Sequence, residues 1–392
     1  MKSKKNILFV SIANDMYGSS KVLLSLVLQM QKQSENYHPI VCLPLGEGPL
    51  KDIMSAEGIQ IIEMPAVKLT RTMLKSLSFF GLLRDYFKAK KILKQKLNGI
   101  EISCVQSNTL ATMFGALYGV FHKPKHIVHV HEIMDRPKIA SFFFKTVLQL
   151  FSNHIVYNSM ATQGFYNGMS RKIEKKSTLI LNGVDYNEVA TSEVRKMEIR
   201  KDLFQANDDQ FLIGLIGRIN RLKGHHLLLE AFQEISEKYP KAKLCFVGST
   251  PPNQEFYLTN LQDEVKNLGL TGKVSFVDFQ DNIYAVLESL DLVIVPSTEP
   301  ESFGLIVVEA MLAKRAVIGS DIGGISTIID HKETGVLFPP NDKLALATAI
   351  SEIVEDREMK QNMEAKAYQK AVEVYSTTAM YEKFNQLYNR VL

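Results

Sequence analysis

The sequence predicts an α/β protein built from two tandem, Rossmann-like doubly wound domains. Short apolar runs rich in β-branched residues alternate with longer helical patterns along both halves of the 392-residue chain. Strands that alternate with helices indicate βαβ units, and continuous aliphatic runs are typical of parallel strands buried on both faces. A single hydrophobic core stops growing near roughly 250–300 residues, so this length favours two cores.

The apolar runs fall into two series, and the first begins with a strand at Ile7 to Ile12. Its runs are ILFVSI, HPIVCLPL, IQIIEM, ISCVQS, HIVHVH, HIVYNS and STLILNG. The second series is FLIGLIGR, AKLCFVG, KVSFVDF, DLVIVPS, RAVIGS and GVLFPP. A polar, aperiodic stretch between them predicts a linker at 186–209, which separates a first domain at 1–185 from a second at 210–375.

The cysteines indicate a reducing compartment. Cys42, Cys104 and Cys245 each lie in an aliphatic run, and their spacing fits neither a zinc site nor a redox pair. Buried, reduced thiols fit a cytoplasmic protein. No stretch reaches the roughly 18 apolar residues of a membrane span, and the first run ends at Asn14 without a cleavage site, so a strand is expected there rather than a signal peptide.

Charge divides the chain into a basic and an acidic half. Residues through Asp185 hold 24 lysines and arginines against 12 acidic residues, and the remainder holds 22 against 30. A basic body favours an anionic partner. The segment 68–97 concentrates this charge, and its second part, 84–97, predicts a helix with five lysines around an apolar stripe. The stripe is Tyr86, Ala89, Leu93 and Leu97.

Three interpretations of the segment 68–97 are open. The plainest is an amphipathic helix docked on the sheet. The sharper one is a helix that lies on an anionic membrane surface. Single-stranded nucleic acid is the weakest, because no aromatic–basic alternation supports base stacking. We therefore expect a membrane-surface partner through this segment and no nucleic-acid partner.

In the second domain, two cations follow the first strand, in GRINRLKGHH. Arg218 and Lys223 lie on the turn that leaves this strand, with Gly217 and Gly224 on either side. Ligands of doubly wound sheets bind at the carboxyl ends of strands, and two cations there suit a diphosphate. The alternative is a solvated basic turn. No G-x-G-x-x-G pattern is present, which counts against a nicotinamide dehydrogenase.

The stretch EPESFGLIVVEAM places two glutamates around an aliphatic run that predicts a helix from Phe303 to Leu312. Gly304 allows a ligand to approach the backbone, and free amides at 303–306 can bind phosphate. A helical rise of 1.5 Å per residue separates Glu301 from Glu309 by roughly 12 Å, which is too far for a shared proton. The distance would suit two carboxylates that accept hydrogen bonds from hydroxyl groups on either side of a diphosphate. The alternative is that Glu301 caps the helix and Glu309 is a core residue with its hydrogen bonds satisfied.

Two features of the first domain also follow strands. VHVHEIMD places His129 and His131 on one face of a strand, with His131 at its end. NDMYGSSK predicts a small loop at the cleft, with Gly18 and Ser19 opening a helix for which Ser19 or Ser20 would be the N-cap. A structural role is the alternative for each. No metal-ligand spacing occurs, so no cofactor and no metal are expected.

Together and in order, these motifs resemble family 4 retaining glycosyltransferases of the GT-B fold. The resemblance runs to about residue 345, and its most specific part is IGRINRLKG through TGVLFPP. It implies a final helix at 376–392 that packs back on the first domain. It also implies transfer with retention of anomeric configuration and without a metal, in which the leaving phosphate assists attack on the same face.

The resemblance also assigns roles to single residues. Arg218 and Lys223 would hold the donor diphosphate, and Glu301 would contact the transferred sugar. His131 would contact that sugar near the reacting carbon, and Glu309 would bind the ribose. The residues expected to offer backbone contacts are Phe303, Gly304 and Leu305.

Two departures from the family pattern affect these expectations. The first loop reads YGSSK where the family often has Gly-Gly and an acidic residue, which bears on acceptor and loop contacts. GGIST carries Ser326 and Thr327 where the family often has Pro-Glu, so one contact from a glutamate is absent.

The sequence therefore predicts a retaining glycosyltransferase of cell-surface polysaccharide synthesis. The donor would be a nucleotide sugar, the acceptor a glycan or a lipid-linked glycan, and the enzyme cytoplasmic and peripheral on the inner membrane face. One alternative is a sugar-nucleotide epimerase or hydrolase of the same fold. Another is a non-catalytic partner in a glycan-assembly complex.

Overall fold

The chain forms two compact units in the computed structural model, which describes residues 4–70, 73, 80–122, 124–186 and 190–392. The first unit comprises Met1–Asp185 and Ser376–Leu392, and the second Tyr186–Tyr375. Each unit is organised around its own parallel sheet.

The first unit is a seven-stranded parallel sheet in the order β3-β2-β1-β4-β5-β6-β7. The strands are β1 Lys5–Val10, β2 Tyr37–Pro44, β3 Gln60–Met64, β4 Ile102–Asn108, β5 Lys125–Val130, β6 His154–Tyr157 and β7 Ser177–Leu179. The helices are α1 Gly18–Gln33, α2 Pro49–Ala56, α3 Phe80–Leu97, α4 Phe114–Phe121, α5 Lys138–Phe151, α6 Met160–Asn167 and α7 Arg171–Glu174. The strand order reverses between β1 and β4, so the ligand crevice of such a sheet lies beside these two strands.

Helices cover both faces of this sheet. On one face α3, α4 and α5 share a core with the sheet, and α4 packs against the other two. On the other face α1 contacts the final helix of the chain, Thr377–Val391. That final helix is fastened by the hydrogen bond from Tyr388 Oη to Gln106 Oε1, at 2.7 Å. Gly183 approaches it closely, since a Cβ at Gly183 would lie 2.7 Å from Thr377 Cα.

The second unit is a six-stranded parallel sheet in the order β10-β9-β8-β11-β12-β13. The strands are β8 Phe211–Ile216, β9 Ala242–Val247, β10 Val274–Val277, β11 Leu292–Val295, β12 Ala316–Ser320 and β13 Val336–Phe338. The helices are α8 Glu193–Glu198, α9 His225–Ile235, α10 Phe256–Asn267, α11 Ile283–Glu288, α12 Leu305–Leu312, α13 Ile325–Ile328, α14 Lys343–Glu355 and α15 Arg357–Tyr375; the final helix of the first unit is α16. Here the order reverses between β8 and β11.

The linker predicted at 186–209 is wrong for most of its length. Helix α8 and a π-helical turn at Ile199–Leu203 form there, and Phe204 is fully buried. Arg200 anchors this region to the second sheet by donating to the Ser289 carbonyl at 3.0 Å and to Asp291 at 3.1 Å. Some of the charges that made the stretch look like a linker pair with the rest of the unit, as Arg200 does with Asp291, and others pair inside the stretch, as Arg195 does with Glu198.

The helix predicted at 84–97 is present within α3, and its apolar stripe packs on the sheet. Tyr86, Ala89, Leu93 and Leu97 are all buried, which confirms the docked face of the amphipathic pattern. Part of the segment 68–97, namely 71–72 and 74–79, lies outside the described residues. Within the described part of the chain, no helix combines the length and apolar character needed to cross a bilayer.

Candidate functional site

The second unit brings two loops together at the carboxyl ends of β8 and β11, where its strand order reverses. The loop after β8 contains Arg218, which is exposed, and a 3-10 turn at Arg221–Lys223. Asn220 caps this turn by accepting from the amides of Leu222 and Lys223, at 2.9 and 3.2 Å. The cap fixes the direction in which Lys223 leaves the backbone.

Lys223 and Glu301 form an ion pair across these two loops. Lys223 Nζ lies 2.8 Å from Glu301 Oε1. Ser297, which is fully buried, donates its hydroxyl to the same carboxylate oxygen. Both donors thus share Oε1, and among the described residues no protein donor is recorded on Oε2. The carboxylate is held in one orientation with its second oxygen available for a hydroxyl group.

The electrostatics of Glu301 favour the carboxylate. Burial by itself raises the pKa of Glu301, but the charge of Lys223 and the hydrogen bonds from Lys223 and Ser297 outweigh it, so the pKa lies below its ordinary value. A buried carboxylate that stays ionised can accept hydrogen bonds at neutral pH. The site is therefore prepared for hydroxyl groups before any ligand arrives.

Further contacts tie the two loops into one unit. The amide of Thr298 donates to the Leu222 carbonyl at 2.9 Å, and its hydroxyl donates to the Arg221 carbonyl at 3.1 Å. Arg221 also pairs with Glu299 on the surface. Glu299, for which the sequence suggested no role, thus belongs to the same loop contact.

Gly224 is required where the first loop enters α9. Its φ is +73°, and a Cβ there would lie 1.9 Å from the Pro296 carbonyl oxygen. A side chain would push the first loop away from Pro296, which directly precedes Ser297. The glycine therefore sets how closely Lys223 can approach Glu301.

The helix predicted from Phe303 to Leu312 begins two residues later, at Leu305. Gly304, with φ +107°, precedes the first helical residue, and Glu301 lies in the loop before it. The predicted separation of roughly 12 Å between Glu301 and Glu309 assumed one continuous helix, and the two glutamates do not share a helix. Glu309 does lie on α12 and is buried.

The amides at the start of α12 follow Glu301 closely in the chain. The first amides of a helix have no acceptor within the helix, so those near Leu305 remain suited to an anionic group. The Phe303 side chain is buried and packs edge-on against Tyr375, with ring centroids 5.8 Å apart. Only the backbone of Phe303 is thus available for the contact predicted from the sequence.

The Gly323–Gly324 turn packs against the backbone of Glu301 and holds it by a hydrogen bond. Gly324 donates its amide to the Glu301 carbonyl at 2.7 Å, and a Cβ on Gly323 would lie 2.5 Å from that same oxygen. The hydroxyls of Ser326 and Thr327 close the turn by donating to the carbonyls of Gly323 and Gly324, at 2.9 and 2.7 Å. The two residues that depart from the family pattern therefore stabilise the turn itself.

In the first unit, Asn108 joins two features that the sequence predicted separately. Asn108 ends β4, and its amide nitrogen donates to the Ser19 carbonyl at 3.1 Å. Its amide oxygen lies 3.2 Å from His131 Nε2. The loop containing Gly18 and Ser19 and the histidine after β5 thus meet at the point where the first sheet reverses its order.

The histidines of this edge are neutral. Burial lowers the pKa of His131 to about 3, and burial together with His131 keeps the pKa of His129 well below its ordinary value. The two rings lie 4.0 Å apart between centroids. At neutral pH this edge offers hydrogen bonds rather than positive charge. Glu132 accepts from the amides of Leu110 and His131, at 3.2 and 3.3 Å.

The predicted N-cap at Ser19 or Ser20 is wrong. Helix α1 already begins at Gly18, and its N-cap position is Tyr17. Asp15 replaces the capping serine by accepting from the Tyr17 amide at 3.1 Å and from the Ser20 hydroxyl at 3.0 Å. Gly18 and Ser19 therefore contribute helical backbone rather than a free loop.

Sequence reasoning missed Ser297 and Asn108. Each lies at the end of a buried strand, in VIVPS and CVQSN, where a polar side chain marks the carboxyl edge of a parallel sheet. That position was the available signal. Asn108 contacts residues distant in sequence, and Ser297 shares the Glu301 carboxylate with Lys223 of the other loop, so both roles became visible only in three dimensions.

The second unit matches one family model. Residues 196–370 match the model described as glycosyl transferases group 1. This stretch, the glycosyl transferases group 1 region, lies within the second unit. The matched region contains Arg218, Lys223, Glu301 and Glu309, so the candidate site of the second unit lies inside it.

Curated relatives of the glycosyl transferases group 1 region include enzymes named for different reactions. N-acetyl-alpha-D-glucosaminyl L-malate synthase of Bacillus anthracis is 31% identical over 195 residues, which is 50% of this chain and 49% of the relative. D-inositol 3-phosphate glycosyltransferase of Corynebacterium diphtheriae is 27% identical over 180 residues, which is 45% of this chain and 42% of the relative. The chain spans about half the length of these relatives.

Solved structures match the whole chain. HepE of Anabaena, crystallised in complex with UDP and glucose, has a TM-score of 0.83 at 22% identity over 98% of this chain and 99% of its own. Sucrose-phosphate synthase from Thermosynechococcus elongatus has a TM-score of 0.79 at 19% identity over 99% of each chain. Identities this low establish the fold alone. That fold is GT-B, and the predicted fold class is confirmed.

Proposed function

We propose that the protein is a retaining glycosyltransferase that moves a sugar from a nucleoside-diphosphate sugar to a glycan or lipid-linked glycan in cell-surface polysaccharide synthesis. The observation that supports this most is the Lys223–Glu301 pair at the reversal point of the second sheet, inside the glycosyl transferases group 1 region. The HepE crystal structure with UDP-glucose supports this donor class.

The donor contacts follow from the charges and amides of the site. Arg218 and Lys223 bind the diphosphate, and the first amides of α12, near Leu305, add donors to the phosphate. Glu301 accepts a sugar hydroxyl through Oε2. Glu309 binds the ribose. In the absence of donor, Glu301 neutralises the Lys223 ammonium, so the diphosphate has to compete for that cation.

Transfer breaks the bond between the anomeric carbon and the diphosphate oxygen and forms a bond from the acceptor oxygen on the same face of the sugar. The acceptor proton passes to the departing phosphate oxygen, which balances the step without a protein nucleophile. Lys223, Arg218 and the helix amides stabilise the charge that develops on the leaving group. No metal takes part in this scheme. His131 also has a role in transfer, as a neutral hydrogen-bonding group.

The proposed location of the enzyme is the cytoplasm, peripheral on the inner membrane face. The basic balance of residues through Asp185 and the exposed lysines of α3 support attraction to anionic lipid. A membrane-bound enzyme would meet a lipid-linked acceptor in two dimensions, which raises its local concentration.

Replacement of Lys223 tests the proposal. Lys223→Met should lower sugar transfer by roughly 10²–10³-fold, because a donor that stabilises developing charge is lost. Glu301→Gln should lower it as well, since the amide cannot accept as a charged group. Donor turnover, product analysis by mass spectrometry and thermal shifts with nucleoside diphosphates provide the measurements.

Lys241→Met is the matched control, because Lys241 makes an exposed ion pair with Asp209 in the same unit, at 2.9 Å. It should leave transfer unchanged. Full transfer by Lys223→Met would contradict the proposal. Conversion of the donor at equal rate with and without acceptor would instead indicate an epimerase or hydrolase. Donor binding without any turnover would indicate a non-catalytic partner.

A further inference from the structure

Exposed apolar side chains cluster on three neighbouring helices of the first unit. Helices α3, α4 and α5 cover one face of the sheet and share its core. Each presents large apolar side chains to solvent as well. These side chains are Phe80, Leu83 and Phe87 on α3, Val120 on α4, and Ile139, Phe142 and Leu150 on α5. Such residues are ordinary when scattered singly, but a group on adjacent helices indicates a docking surface.

Helix α3 combines its exposed apolar residues with lysines along one stripe. Phe80, Leu83, Phe87, Lys91 and Lys94 follow the spacing i, i+3, i+7, i+11 and i+14, and all five are exposed. This spacing places them on one side of a helix. The stripe is distinct from the buried one that docks α3 on the sheet, so it is not needed for folding.

Helix α5 likewise has both buried and exposed apolar residues, and it contains no acidic residue. Phe144 and Leu148 face the core, whereas Phe142 is 69% exposed and Leu150 is 66% exposed. Lys145 lies between them in sequence. A soluble helix that needed only to dock would place polar residues at these two positions.

The charge of these helices selects the partner. Eight basic residues stand against one acidic residue, Asp85, on the three helices. The basic residues are Arg84, Lys88, Lys90, Lys91, Lys94, Lys96, Lys138 and Lys145. Lysine is depleted in protein–protein interfaces, whereas lysines beside aromatic and aliphatic residues are typical of surfaces that bind anionic lipid.

We propose that the outer surface of α3, α4 and α5 docks on an anionic bilayer, with Phe142 and Leu150 of α5 entering the headgroup region. The lysines of α3 supply the electrostatic attraction, and α5 supplies an apolar contribution that salt does not screen. The inference extends the proposed peripheral location, but its test does not need catalysis.

Vesicle binding of the full chain separates these two contributions. The probe is a vesicle of phosphatidylcholine with about one third phosphatidylglycerol, compared with pure phosphatidylcholine, at low and at high salt. Lys91→Gln with Lys94→Gln should weaken binding at low salt by about fivefold per residue. Phe142→Ser with Leu150→Ser should weaken it at both salt concentrations, by about tenfold per residue. Donor turnover without vesicles should be unchanged in both variants.

Leu344→Ser is the matched control, since Leu344 is 60% exposed in the second unit, outside the proposed surface. It should bind vesicles as the unmodified chain does. Equal vesicle binding by the Phe142→Ser, Leu150→Ser variant at high salt would overturn the role of α5. A dimer that this variant dissociates, measured by light scattering, would assign the surface to a second copy and overturn the lipid proposal. Loss of vesicle binding with intact sugar transfer leaves the proposed function standing, so the two can fail separately.

Discussion

The two units present their sheet-reversal edges in opposite electrostatic states. In the second unit, Lys223 and Glu301 are both charged and hold each other at 2.8 Å. In the first unit, His131 is buried and neutral, and the uncharged amide of Asn108 orients it. The same topology thus yields one edge with an ion pair and another with uncharged hydrogen-bonding groups.

The two edges differ in how they offset the free-energy cost of removing charged and polar groups from water. A charge removed from water needs a partner, and the partly buried Glu301 of the second unit is matched by the charge of Lys223 and the hydroxyl of Ser297. The first unit avoids the cost by keeping imidazole rings uncharged. Acid should therefore lower the stability of the two units to different extents.

The largest expected effect is a loss of stability of the first unit in mild acid. Burial lowers the pKa of His126 to about 4, of His131 to about 3 and of His154 to about 4. Below pH 6.5 the unfolded chain binds protons that these folded rings do not, so stability falls with pH by about 1.4 kcal/mol per pH unit for each ring. The pKa of His129 is also kept well below its ordinary value, so four rings give roughly 5–6 kcal/mol per pH unit. The raised pKa of Glu132, caused by burial, offsets part of this slope near pH 4.5.

The second unit should resist the same change better. Burial lowers the pKa of one ring there, His225, to about 3. The contribution of Glu301, whose pKa is lowered, is present above its ordinary pKa and is lost only as the pH falls further. Hydrogen exchange of the intact chain at pH 7 and pH 5, corrected for intrinsic rates, resolves peptides from each unit. Equal losses of protection in both units would contradict the comparison.

The next effect concerns the backbone that sets the charged edge. Gly224→Ala should destabilise the second unit by about 3 kcal/mol, because it combines a positive φ with a Cβ on the Pro296 carbonyl. Transfer activity should fall too, since the loops of Lys223 and Glu301 separate. Hydrogen exchange of second-unit peptides and donor turnover measure both.

Gly164→Ala is the control in the first unit. Gly164 lies inside α6, and a Cβ there meets no atom within 4 Å. It should stabilise its helix by about 0.5–1 kcal/mol. If Gly164→Ala and Gly224→Ala changed stability in the same direction, the close approach of a Cβ at Gly224 to Pro296 could not be the cause of its effect.

Local sequence patterns were enough to predict the fold, but not how the loops of the site are positioned against one another. Aliphatic runs and helical spacing depend on neighbouring residues, and both parallel sheets were predicted from them. The start of α12 depends on Gly304, whose φ of +107° bends the chain before the helix, so the aliphatic run alone extended the predicted helix too far. Asn108 acts through Ser19 and His131, which are distant in sequence, and Ser297 acts on a carboxylate that Lys223 of another loop also holds. The folded linker is a similar case, since Lys196 and Arg200 have partners that are distant in sequence, Glu288 and Asp291.

The smallest expected effect separates the partly buried Lys223–Glu301 pair from the exposed ion pair beside it. Arg221 and Glu299 join the same two loops as Lys223 and Glu301, but their side chains are 65% and 48% exposed. Exposed pairs contribute about 0–1 kcal/mol, because water screens the attraction and ordering two long side chains costs entropy. Glu299→Gln should therefore change stability by less than about 1 kcal/mol and transfer by less than about fivefold.

Donor turnover at low and high salt measures this difference, with Glu301→Gln as the comparison. The Thr298 contacts to Arg221 and Leu222 remain in Glu299→Gln, so the loops stay joined through the backbone. A loss of transfer as large as that of Glu301→Gln would mean that Glu299 contacts the substrate. The division between a charged contact for the donor and a surface contact between loops would then be wrong.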